Sequence, residues 1–231
     1  MKNGAEIMVG CLEAEGVEIV FGYPGAAICP FYDALYDSSI RHVLVRSEQN
    51  AAHMASGYAR ASGRPGVCVA TSGPGATNLI TGIATAYMDS VPMIAVTGQV
   101  NLEQLGRDVF QEADITGAAE PFTKHSYIVK RAADIPQIFK EAFHIASTGR
   151  PGPVLIDVPI DMQQHSFSNF TYDKPVDIIG YKPRIQGHSL QVRKAVEALA
   201  VCKRPVLCAG GGVFSADAQK ELAAFVEKYH M

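Results

Sequence analysis

The sequence predicts an α/β fold, with a doubly wound parallel sheet followed by the truncated start of a second α/β domain. Short apolar runs rich in β-branched residues alternate with segments of helical periodicity along most of the chain. The strands lack polar alternation, which is typical of parallel sheets that helices cover on both faces. The motif Gly-Arg-Pro-Gly precedes two of the strands, at residues 63–66 and 149–152, where glycine ends a helix and proline prevents its continuation.

The first domain, residues 1–165, alternates predicted strands and helices. The predicted strands are 18–21, 43–45, 67–71, 93–97 and 154–158. Helical spacing begins with Ile7, Met8, Cys11 and Leu12, ends at Gly16, and returns over 28–38, 49–61, 75–88 and 134–147. Because parallel strands joined by helices take right-handed crossovers, these elements predict a single sheet with helices on both faces.

The rest of the chain predicts a linker and an incomplete second domain. Residues 166–187 are polar, aromatic and proline-containing without a sustained period, as linkers are. Within residues 188–231 we expect a helix over 190–200 capped by Ser189, a strand over 205–209, a glycine turn, and a helix over 216–229. One such unit cannot form a sheet, and the last helix is still amphipathic at Met231, so we interpret the chain as truncated.

Composition excludes several classes of protein. The 20 basic and 23 acidic residues give a net charge of −3, and no block of like charges indicates nucleic-acid binding. No apolar run approaches the roughly 20 residues that cross a membrane, and the N-terminus lacks a signal-peptide core. The 5 cysteines are odd in number and contain no CxxC pair. Four of them lie in apolar-looking elements, so we expect reduced core thiols in a cytoplasmic protein rather than disulfides or a zinc site.

Two candidate site segments directly follow predicted strands. Glu48 comes after strand 43–45, at the carboxyl edge of a parallel sheet, where such sheets bind their ligands. The glycine-rich residues 72–78 follow strand 67–71 and present free backbone N–H groups at a helix start. They lack the lysine of a P-loop and do not match GxGxxG. From position alone, a plain helix N-terminal carboxylate and a plain glycine turn remain open explanations.

Two further segments are weak signals when each is taken alone. Tyr23-Pro24-Gly25 follows strand 18–21 and is also explained by a simple β-turn. Phe110-Gln111-Glu112 follows strand 93–97 at a distance and is also explained by a helix start. Because three of the four segments directly follow parallel strands, we expect them to converge on one edge of the sheet.

The four segments resemble, in order and spacing, the motifs of thiamine-diphosphate-dependent 2-keto-acid enzymes. The most similar group is the large subunits of acetohydroxyacid synthase, also called acetolactate synthase. The motifs here are GYPG at 22–25, SEQNAA at 47–52, TSGPGATN at 71–78 and FQE at 110–112. The resemblance covers essentially the whole chain. It implies a thiamine-pyrimidine-binding domain at 1–165, a flavin-binding-like central domain from 188, and a third domain, not matched here, that holds magnesium and the diphosphate.

The same resemblance implies roles for individual residues. Glu48 would hydrogen-bond to N1′ of the aminopyrimidine of thiamine diphosphate and so help its 4′-nitrogen take the proton from the thiazolium C2. The implied catalytic residues are Glu48 and Gln111. The implied thiamine-binding residues are Tyr23, Pro24, Gly25, Glu48, Thr71, Pro74, Asn78 and Gln111. The implied contacts to FAD are Arg150, Gly210, Gly211 and Gly212, and the implied substrate-channel residues are Ala26, Ala27 and Phe110. For Arg150, a surface cation at a helix C-terminus is the alternative.

The implied activity is decarboxylation of pyruvate and its joining to a second 2-keto acid, which gives acetolactate or acetohydroxybutyrate in branched-chain amino-acid biosynthesis. One alternative is another carboligase or decarboxylase of the superfamily, although the His-His pair of pyruvate decarboxylases is absent. The other is an inert pyrimidine domain that only dimerises. Because no segment matches the diphosphate domain, we expect the chain alone to be inactive and its magnesium ligands to lie outside it.

Three residues depart from the family pattern. Ala26 stands where the family has a second glycine, Asn101 where it has proline, and Ile160 where it has a lysine that lines the substrate channel. Since isoleucine cannot bind a carboxylate, Ile160 leaves the acceptor keto acid open. Lys124 matches the family sequence but carries no implied role.

We also expect a homodimer, with a small regulatory subunit as a further partner. Without its diphosphate domain the chain would expose the helices that follow Glu48 and Pro74. The apolar residues on them are Ala51, Ala52, Met54, Ala55, Leu79, Ile80 and Ile83. Contiguous apolar patches are commonly hidden in twofold interfaces. The alternative is that these helices simply cover the sheet of a monomer.

Overall fold

The computed structural model describes residues 1–167, 170–229 and 231. The chain divides into two compact units, Met1–Pro183 and Arg184–Met231, which are described separately. Eight strands lie in the described residues, all in the first unit: β1 Lys2–Asn3, β2 Ile19–Gly22, β3 Arg41–Leu44, β4 Gly66–Ala70, β5 Met93–Gln99, β6 His125–Ile128, β7 Pro153–Pro159 and β8 Ser166–Phe167.

A six-stranded sheet with the order β3-β2-β4-β5-β7-β6 forms the centre of the first unit. Every neighbouring pair in this sheet is parallel, and the longest register, between β5 and β7, runs from Met93 opposite Pro153 to Gln99 opposite Pro159. The short strands β1 and β8 pair antiparallel in a separate ribbon. The predicted parallel sheet is therefore confirmed.

Helices cover both faces of this sheet. The helices of the first unit are α1 Gly4–Ala14, α2 Cys29–Tyr36, α3 Glu48–Ser62, α4 Pro74–Asn78, α5 Ile80–Met88, α6 Ile115–Ala119, α7 Ile135–Ser147 and α8 Ile160–Gln164. Alternate residues of β4 point to opposite faces: Val67 and Val69 pack with α1, α2 and α7, whereas Cys68 and Ala70 pack with α3, α5 and α6. Because both faces are covered, the strands read as continuous apolar runs.

Local sequence sets several of the helix ends. Asn3 Oδ1 accepts from the Glu6 N–H at 2.8 Å while Glu6 Oε2 accepts from the Asn3 N–H at 2.6 Å, a capping box that starts α1. Gly63 ends α3 with φ 71°, and Gly149, with φ 62°, follows α7. These positive φ values are the conformations that glycine adopts most readily, so the predicted role of the Gly-Arg-Pro-Gly motif in ending helices is confirmed.

Several predicted elements of the first unit differ from the observed ones. Strand β6 was not predicted because HSYI is an edge strand with no buried residue and carries no apolar run. The helix predicted over 75–88 is divided at Leu79 into α4 and α5. The helix predicted over 28–38 ends earlier, at Tyr36, and a 3₁₀ turn at Ala26–Ile28 precedes it.

The predicted linker 166–187 belongs largely to the first unit, which extends to Pro183. The Tyr172 hydroxyl donates to Glu15 Oε1 at 2.8 Å, and the Tyr181 hydroxyl donates to the Thr148 carbonyl at 2.8 Å. Isolated aromatic side chains thus attach this segment to the rest of the first unit. Because they follow no repeating pattern, sequence periodicity did not indicate that the segment is packed. Residues 168 and 169 of the predicted linker lie outside the described residues.

The second unit contains α9 Ser189–Val201, α10 Gly212–Ser215 and α11 Gln219–Tyr229. The predicted strand 205–209 is wrong, because among the described residues of this unit no strand is present with which it could pair. The N-cap of α9 is His188, so the predicted cap at Ser189 is also wrong. The final helix begins at Gln219 rather than 216 because α10 takes up the residues directly after the glycine turn.

Candidate functional site

The carboxyl edge of the parallel sheet brings three predicted segments to one place. The chain runs from β2 to β3 on one side and then crosses to β4 on the other side, so the strand order reverses between β2 and β4. At such a reversal the connections diverge and leave a crevice, which is where open α/β sheets bind ligands. The turn after β2, the start of α3 after β3 and the glycine turn after β4, residues 72–75, all lie at this edge.

Glu48 is the half-buried first residue of α3 and faces the segment that follows the glycine turn. The side-chain amide of Asn78 donates from Nδ2 to Glu48 Oε2 at 3.0 Å. Gly75 lies beside the other oxygen, since a Cβ on Gly75 would come 3.4 Å from Oε1. Among the described residues, Oε1 accepts no hydrogen bond. One carboxylate oxygen is therefore held by the protein while the other remains able to accept from a ligand.

Thr71 joins the turn after β2 to the glycine turn. Its side chain is buried, and Oγ1 accepts from the Ala27 N–H at 3.3 Å. A Cβ on Gly25 would lie 2.5 Å from the Thr71 Cβ, and a Cβ on Gly75 would lie 2.7 Å from Thr71 Cγ2. Real Cβ atoms do not approach so closely, so both turns require glycine at these positions.

Gln111 is brought to the same edge by a different segment, residues 100–114, which we call the Gln111 loop. It connects β5 to α6, and Gln111 takes φ 59°, which is unusual for a residue other than glycine. Its backbone lies against Gly73, where an added Cβ would be 2.7 Å from the Gln111 carbonyl oxygen. Gln111 is half-buried, whereas Phe110 beside it is 87% exposed.

Tyr23 and Pro24 form the outer part of the turn after β2. The Tyr23 N–H donates to the Val69 carbonyl at 3.2 Å, which ties the turn to β4. Its ring is nevertheless exposed, as is Pro24, and Pro74 at the start of α4 is exposed too. These side chains stand around the crevice without contributing to the core.

Ala26 and Ala27 have different surroundings. Ala26 is exposed and lines an open groove together with Ile160 of α8. Ala27 is buried, and its backbone is held from two sides, by Thr71 and by the Gln163 side chain, which donates to the Ala27 carbonyl at 2.8 Å. Of this predicted pair, Ala26 therefore lies on an accessible surface and Ala27 lies inside the fold.

The predicted flavin contacts belong to both units of the chain, Arg150 to the first and the three glycines to the second. The Arg150 guanidinium donates to Ser90 Oγ at 2.7 Å and to the Met88 carbonyl at 3.2 Å, so it caps the C-terminal end of α5. Gly210, Gly211 and Gly212 belong to the second unit and are exposed, with no atom within 4 Å of an added Cβ. Arg150 thus matches the alternative of a cation at a helix C-terminus, although the helix is α5 and not the one that precedes it.

Lys124 has a structural role that the sequence did not indicate. Its ammonium group donates to the carbonyls of Ile145 and Thr148, at the end of α7, and at 3.0 Å to the Tyr181 hydroxyl. A cation at the C-terminus of a helix stabilises the last unpaired carbonyls. Lys124 also holds the Tyr181 segment against the first unit.

The cysteines are free, and they divide into two groups. Cys11 and Cys68 are buried, and burial raises the pKa of both thiols above the usual range, to about 12 for Cys68. Cys29, Cys202 and Cys208 are exposed, so the expectation that four cysteines are core thiols is wrong. The described residues contain no cluster of three or more metal-ligating side chains. None of the helices in that part of the chain has the length and apolar character needed to cross a membrane.

The helices expected to form an exposed apolar surface are mostly buried against each other. An added Cβ on Gly82 of α5 would meet the Cβ of Ala52 in α3 at 2.4 Å. The residues that are nearly inaccessible are Ala51, Ala52, Ala55, Leu79 and Ile83. Met54 is 41% exposed and Ile80 is half-buried. The alternative, in which these helices cover the sheet of a single chain, is therefore what the structure contains.

The sequence analysis did not identify one buried carboxylate, that of Asp157. Asp157 lies on β7, where Thr97 Oγ1 donates to it at 2.6 Å and Gln99 Nε2 donates at 2.9 Å. Burial raises the pKa of Asp157 to about 7, against the lowering effect of these two donors. Gln99 Nε2 also donates to the Ala113 carbonyl at 3.0 Å, so the pair anchors the end of the Gln111 loop. The available signal was a single carboxylate in the otherwise apolar run PVLIDVP.

Comparison with known proteins agrees with this arrangement. Residues 2–118 match the family model "Thiamine pyrophosphate enzyme, N-terminal TPP binding domain". A probable acetolactate synthase large subunit of Methanocaldococcus jannaschii is 56% identical over 227 residues, covering 97% of this chain and 38% of the relative. The acetolactate synthase large subunit of Corynebacterium glutamicum is 54% identical, covering 97% of this chain and 36% of the relative.

A third relative, the acetolactate synthase large subunit of Haemophilus influenzae, is 50% identical and covers 99% of this chain and 40% of the relative. The chain therefore spans about two fifths of the length of the curated relatives it matches. The matched family region contains β2 to β5 and all three turns at the carboxyl edge of the sheet. The chain belongs to the family of thiamine pyrophosphate enzymes, whose N-terminal TPP-binding domain its residues 2–118 match.

Proposed function

We propose that the chain is the N-terminal part of an acetolactate synthase large subunit. The whole enzyme would decarboxylate pyruvate and join the product to a second 2-keto acid, giving acetolactate or acetohydroxybutyrate for branched-chain amino-acid biosynthesis. Two observations support this: relatives at 50–56% identity carry that name, and four sequence motifs meet at one edge of the sheet. Thiamine diphosphate, the cofactor of the family, supplies the carbon nucleophile of such a reaction when bound.

The observation that carries the proposal is the environment of Glu48. Asn78 holds Oε2, while Oε1 faces Gly75, where a side chain would fill the space beside the carboxylate. A carboxylate with one oxygen held and the other available as an acceptor fits a flat ring with a protonated nitrogen, such as the aminopyrimidine of thiamine. In this role Glu48 shares a proton at Oε1 with the ring nitrogen, and Asn78 fixes the direction of the carboxylate.

The other residues of the edge would surround the same ring. Thr71 holds the turn after β2 in register with the glycine turn, and so places Tyr23, Pro24 and Gly25 on one side. Gln111 would approach from the other side along Gly73. Exposed Ala26 and Phe110 would face the substrates, with Ile160 close to Ala26 in place of a cationic group. The groove beside Ala26 would therefore accept the apolar part of a keto acid rather than its carboxylate.

The remaining expectations are also proposals. Magnesium and the diphosphate would be held by residues outside this chain, as the resemblance to the family implies. FAD would approach the exposed turn at Gly210, Gly211 and Gly212, where no atom lies near the Cβ positions. The term large subunit in the names of the relatives supports a smaller regulatory partner, and the absence of a disulfide from the free cysteines is compatible with a cytoplasmic protein.

A homodimer remains part of the proposal, although most of the residues expected at its interface are buried within the chain. The candidates are aromatic and thioether side chains that stay exposed and that a partner would cover: Tyr23, Met54 and Phe110. Light scattering at micromolar concentration would support the dimer by a mass about twice the 24.7 kDa of the chain. A species of the monomer mass would contradict it.

The decisive test of the proposed function is Glu48→Gln. It should be made in a chimera in which this chain replaces the matching N-terminal two fifths of the Methanocaldococcus jannaschii relative. The amide keeps the shape of the side chain but cannot share the proton. We expect exchange of the C2 hydrogen of bound thiamine diphosphate, followed by NMR, to slow by about 10²–10⁴-fold, the usual contribution of an acid–base group.

Glu13→Gln is the matched control, because Glu13 is an exposed glutamate of α1 and loses the same charge. The control should exchange at the rate of the unmodified chimera. Exchange at that rate in Glu48→Gln as well would remove Glu48 from the mechanism. An unmodified chimera that binds the cofactor but forms no acetolactate from pyruvate would instead favour another enzyme of the superfamily.

A further inference from the structure

The Gln111 loop is held mainly by hydrogen bonds and not by packing. None of its residues 100–114 is buried, and Phe110 is almost fully exposed. At its start, the Leu102 N–H donates to the Asp161 carboxylate at 3.1 Å. At its end, Gln99 holds the Ala113 carbonyl. The middle of the loop, which presents Phe110 and Gln111, must be fixed by something else.

Glu112 closes a ring around that middle part. Its carboxylate accepts from the Gly106 N–H through Oε1 and from the Val109 N–H through Oε2, the latter at 3.2 Å. The Glu112 N–H in turn donates to the Val109 carbonyl at 3.0 Å. Glu112 thus binds both polar groups of Val109, and the two residues enclosed between them are Phe110 and Gln111.

The backbone of the ring is shaped to receive a negative charge. Gly106 has φ 77° and Asp108 has φ 52°, so that consecutive N–H groups turn towards one side, as in the backbone nests that bind anions. Backbone N–H groups lower the pKa of Glu112, that of Gly106 most strongly, followed by those of Val109, Arg107 and Asp108. Burial acts in the opposite direction, but its effect is smaller than that of the Gly106 N–H. The carboxylate is therefore held in its charged form by backbone donors alone.

Closing the ring also determines the conformation of Gln111. Gln111 is the third residue of the turn from Val109 to Glu112, and its φ of 59° is one that residues other than glycine rarely adopt. Such a conformation persists only where surrounding contacts impose it. Here it places the Gln111 backbone against Gly73, where an added Cβ would lie 2.7 Å from the Gln111 carbonyl oxygen.

We propose that Glu112 is a positioning residue for Gln111: its carboxylate closes the ring over residues 106–109 and so holds the Gln111 backbone against Gly73 of the glycine turn. The consequence for cofactor binding rests on the proposed function, whereas the ring itself does not. Without the carboxylate, the loop loses its two acceptors, and Gln111 is free to leave the unfavourable φ region.

The first measurement is amide hydrogen exchange of the 231-residue chain at neutral pH, without any ligand. In Glu112→Gln, one oxygen is replaced by an NH₂ group that cannot accept, and the charge is lost. We expect the Gly106 and Val109 amides to exchange about tenfold faster or more, as expected when hydrogen bonds to a charged acceptor are lost. Amides of β5 and β7 should keep their protection and so report that the fold is intact.

Glu103→Gln is the matched control, because Glu103 is exposed on the same loop and makes no side-chain hydrogen bond among the described residues. It should leave the exchange of Gly106 and Val109 unchanged.

The unmodified chain provides a second readout that needs no variant. Because the folded pKa of Glu112 is lowered, the ring is complete above the ordinary glutamate pKa and opens as the pH falls through the folded value. The proposal would be overturned if the Gly106 and Val109 amides were equally protected in Glu112→Gln and Glu103→Gln. It would also be overturned if, in acid, these amides lost protection no earlier than the amides of β5 and β7.

The second measurement distinguishes positioning from simple stabilisation of a loop. The ¹⁵N-labelled chain is titrated with thiamine, which carries the aminopyrimidine but needs no diphosphate anchor. We expect resonances of Asn78 and Gln111 to shift in the unmodified chain and in Glu103→Gln. In Glu112→Gln the Asn78 shift should remain, and the Gln111 shift should be lost.

An unchanged Gln111 shift in Glu112→Gln would overturn the positioning role even if the ring had opened. If thiamine shifts neither Asn78 nor Gln111 in the unmodified chain, the proposed function fails. The exchange measurement then still decides whether Glu112 closes the ring, because it involves no ligand.

Discussion

The two sides of the candidate site are built by different forces. On one side, Thr71 is buried between Gly25 and Gly75, and close contacts that only glycine permits hold the turns together. On the other side, the Gln111 loop is largely exposed and is held by carboxylates that accept from backbone N–H groups. The two sides meet where Gln111 lies against Gly73.

This difference teaches that the two sides should respond to different perturbations. Packing contacts are sensitive to added volume and insensitive to pH, because no charge changes in them. Hydrogen bonds to carboxylates depend on the ionisation of each group and tolerate changes of volume at the surface. The packed side is therefore the rigid part of the candidate site, and the hydrogen-bonded side is the part that can adjust.

The largest effect should come from Asp157, which anchors the Gln111 loop through Gln99. Its pKa in the fold is raised to about 7, so its contribution to stability is complete below the ordinary aspartate pKa and is lost as the pH rises through 7. As the pH rises from 5 to 8, the free energy of unfolding of the unmodified chain should fall by about 3 kcal/mol because of Asp157. Asp157→Asn should not show this fall, because an amide does not titrate. Chemical denaturation at several pH values measures this.

Thr97→Val tests the assignment to Asp157 independently. It removes the hydroxyl that donates to the carboxylate at 2.6 Å and that lowers the pKa of Asp157. The pH range over which stability falls should therefore move upwards in this variant. A difference between Asp157→Asn and the unmodified chain that does not vary with pH would show that Asp157 does not titrate in this range.

A somewhat smaller effect is expected on the packed side from Gly75→Ala. The new methyl group would lie 2.7 Å from Thr71 Cγ2 and 3.4 Å from Glu48 Oε1. We expect a loss of about 2 kcal/mol in free energy of unfolding, typical of overpacking, with no dependence on pH. Gly57→Ala in α3 is the control, because nothing lies near its Cβ position, and it should gain about 0.5–1 kcal/mol. Equal effects of the two variants would contradict the packed character of this side.

The smallest effect should be a gain in stability from Gln111→Gly. Glycine adopts φ 59° without steric cost, which favours the folded state, whereas its greater entropy in the unfolded chain opposes this gain. We therefore expect a net increase of about 0.5 kcal/mol in free energy of unfolding. Gln104→Gly on the same loop lies outside the residues of positive φ and should lower stability. Thermal unfolding of both variants measures the pair. A loss of stability in Gln111→Gly would mean that Gln111 is not held in an unfavourable conformation.

Much of the fold could be predicted from local sequence. Strands β4, β5 and β7 are continuous apolar runs because both faces of the sheet are covered, and such a run is visible without any knowledge of its neighbours. Strand β6 and the segment ending at Pro183 lack this signal. The first is an unburied edge, and the second packs through isolated aromatic side chains such as Tyr172 and Tyr181.

The site could be predicted only in part. Glu48 was identifiable because it follows a strand, whereas Thr71 and Asn78 were identified through the resemblance of their motif to the family. Asp157 and the ring role of Glu112 were not identified, since their significance depends on burial and on backbone groups of a distant or coiled segment. For Arg150 the resemblance implies a flavin contact, and only the fold reveals that it caps α5.

The sequence by itself determined the alternation of strands and helices, the places where glycine and proline end them, and the family to which the chain belongs. The first two are properties of neighbouring residues, set by side-chain periodicity and by the φ values that each residue tolerates, whereas the family follows from the resemblance of the motifs. Only the tertiary structure decided that Asn78 reaches Glu48, that Gln111 lies against Gly73, and that α3 and α5 cover each other. Such contacts join segments some 30 or more residues apart, and they arise from the order of the strands in the sheet, which no local pattern encodes.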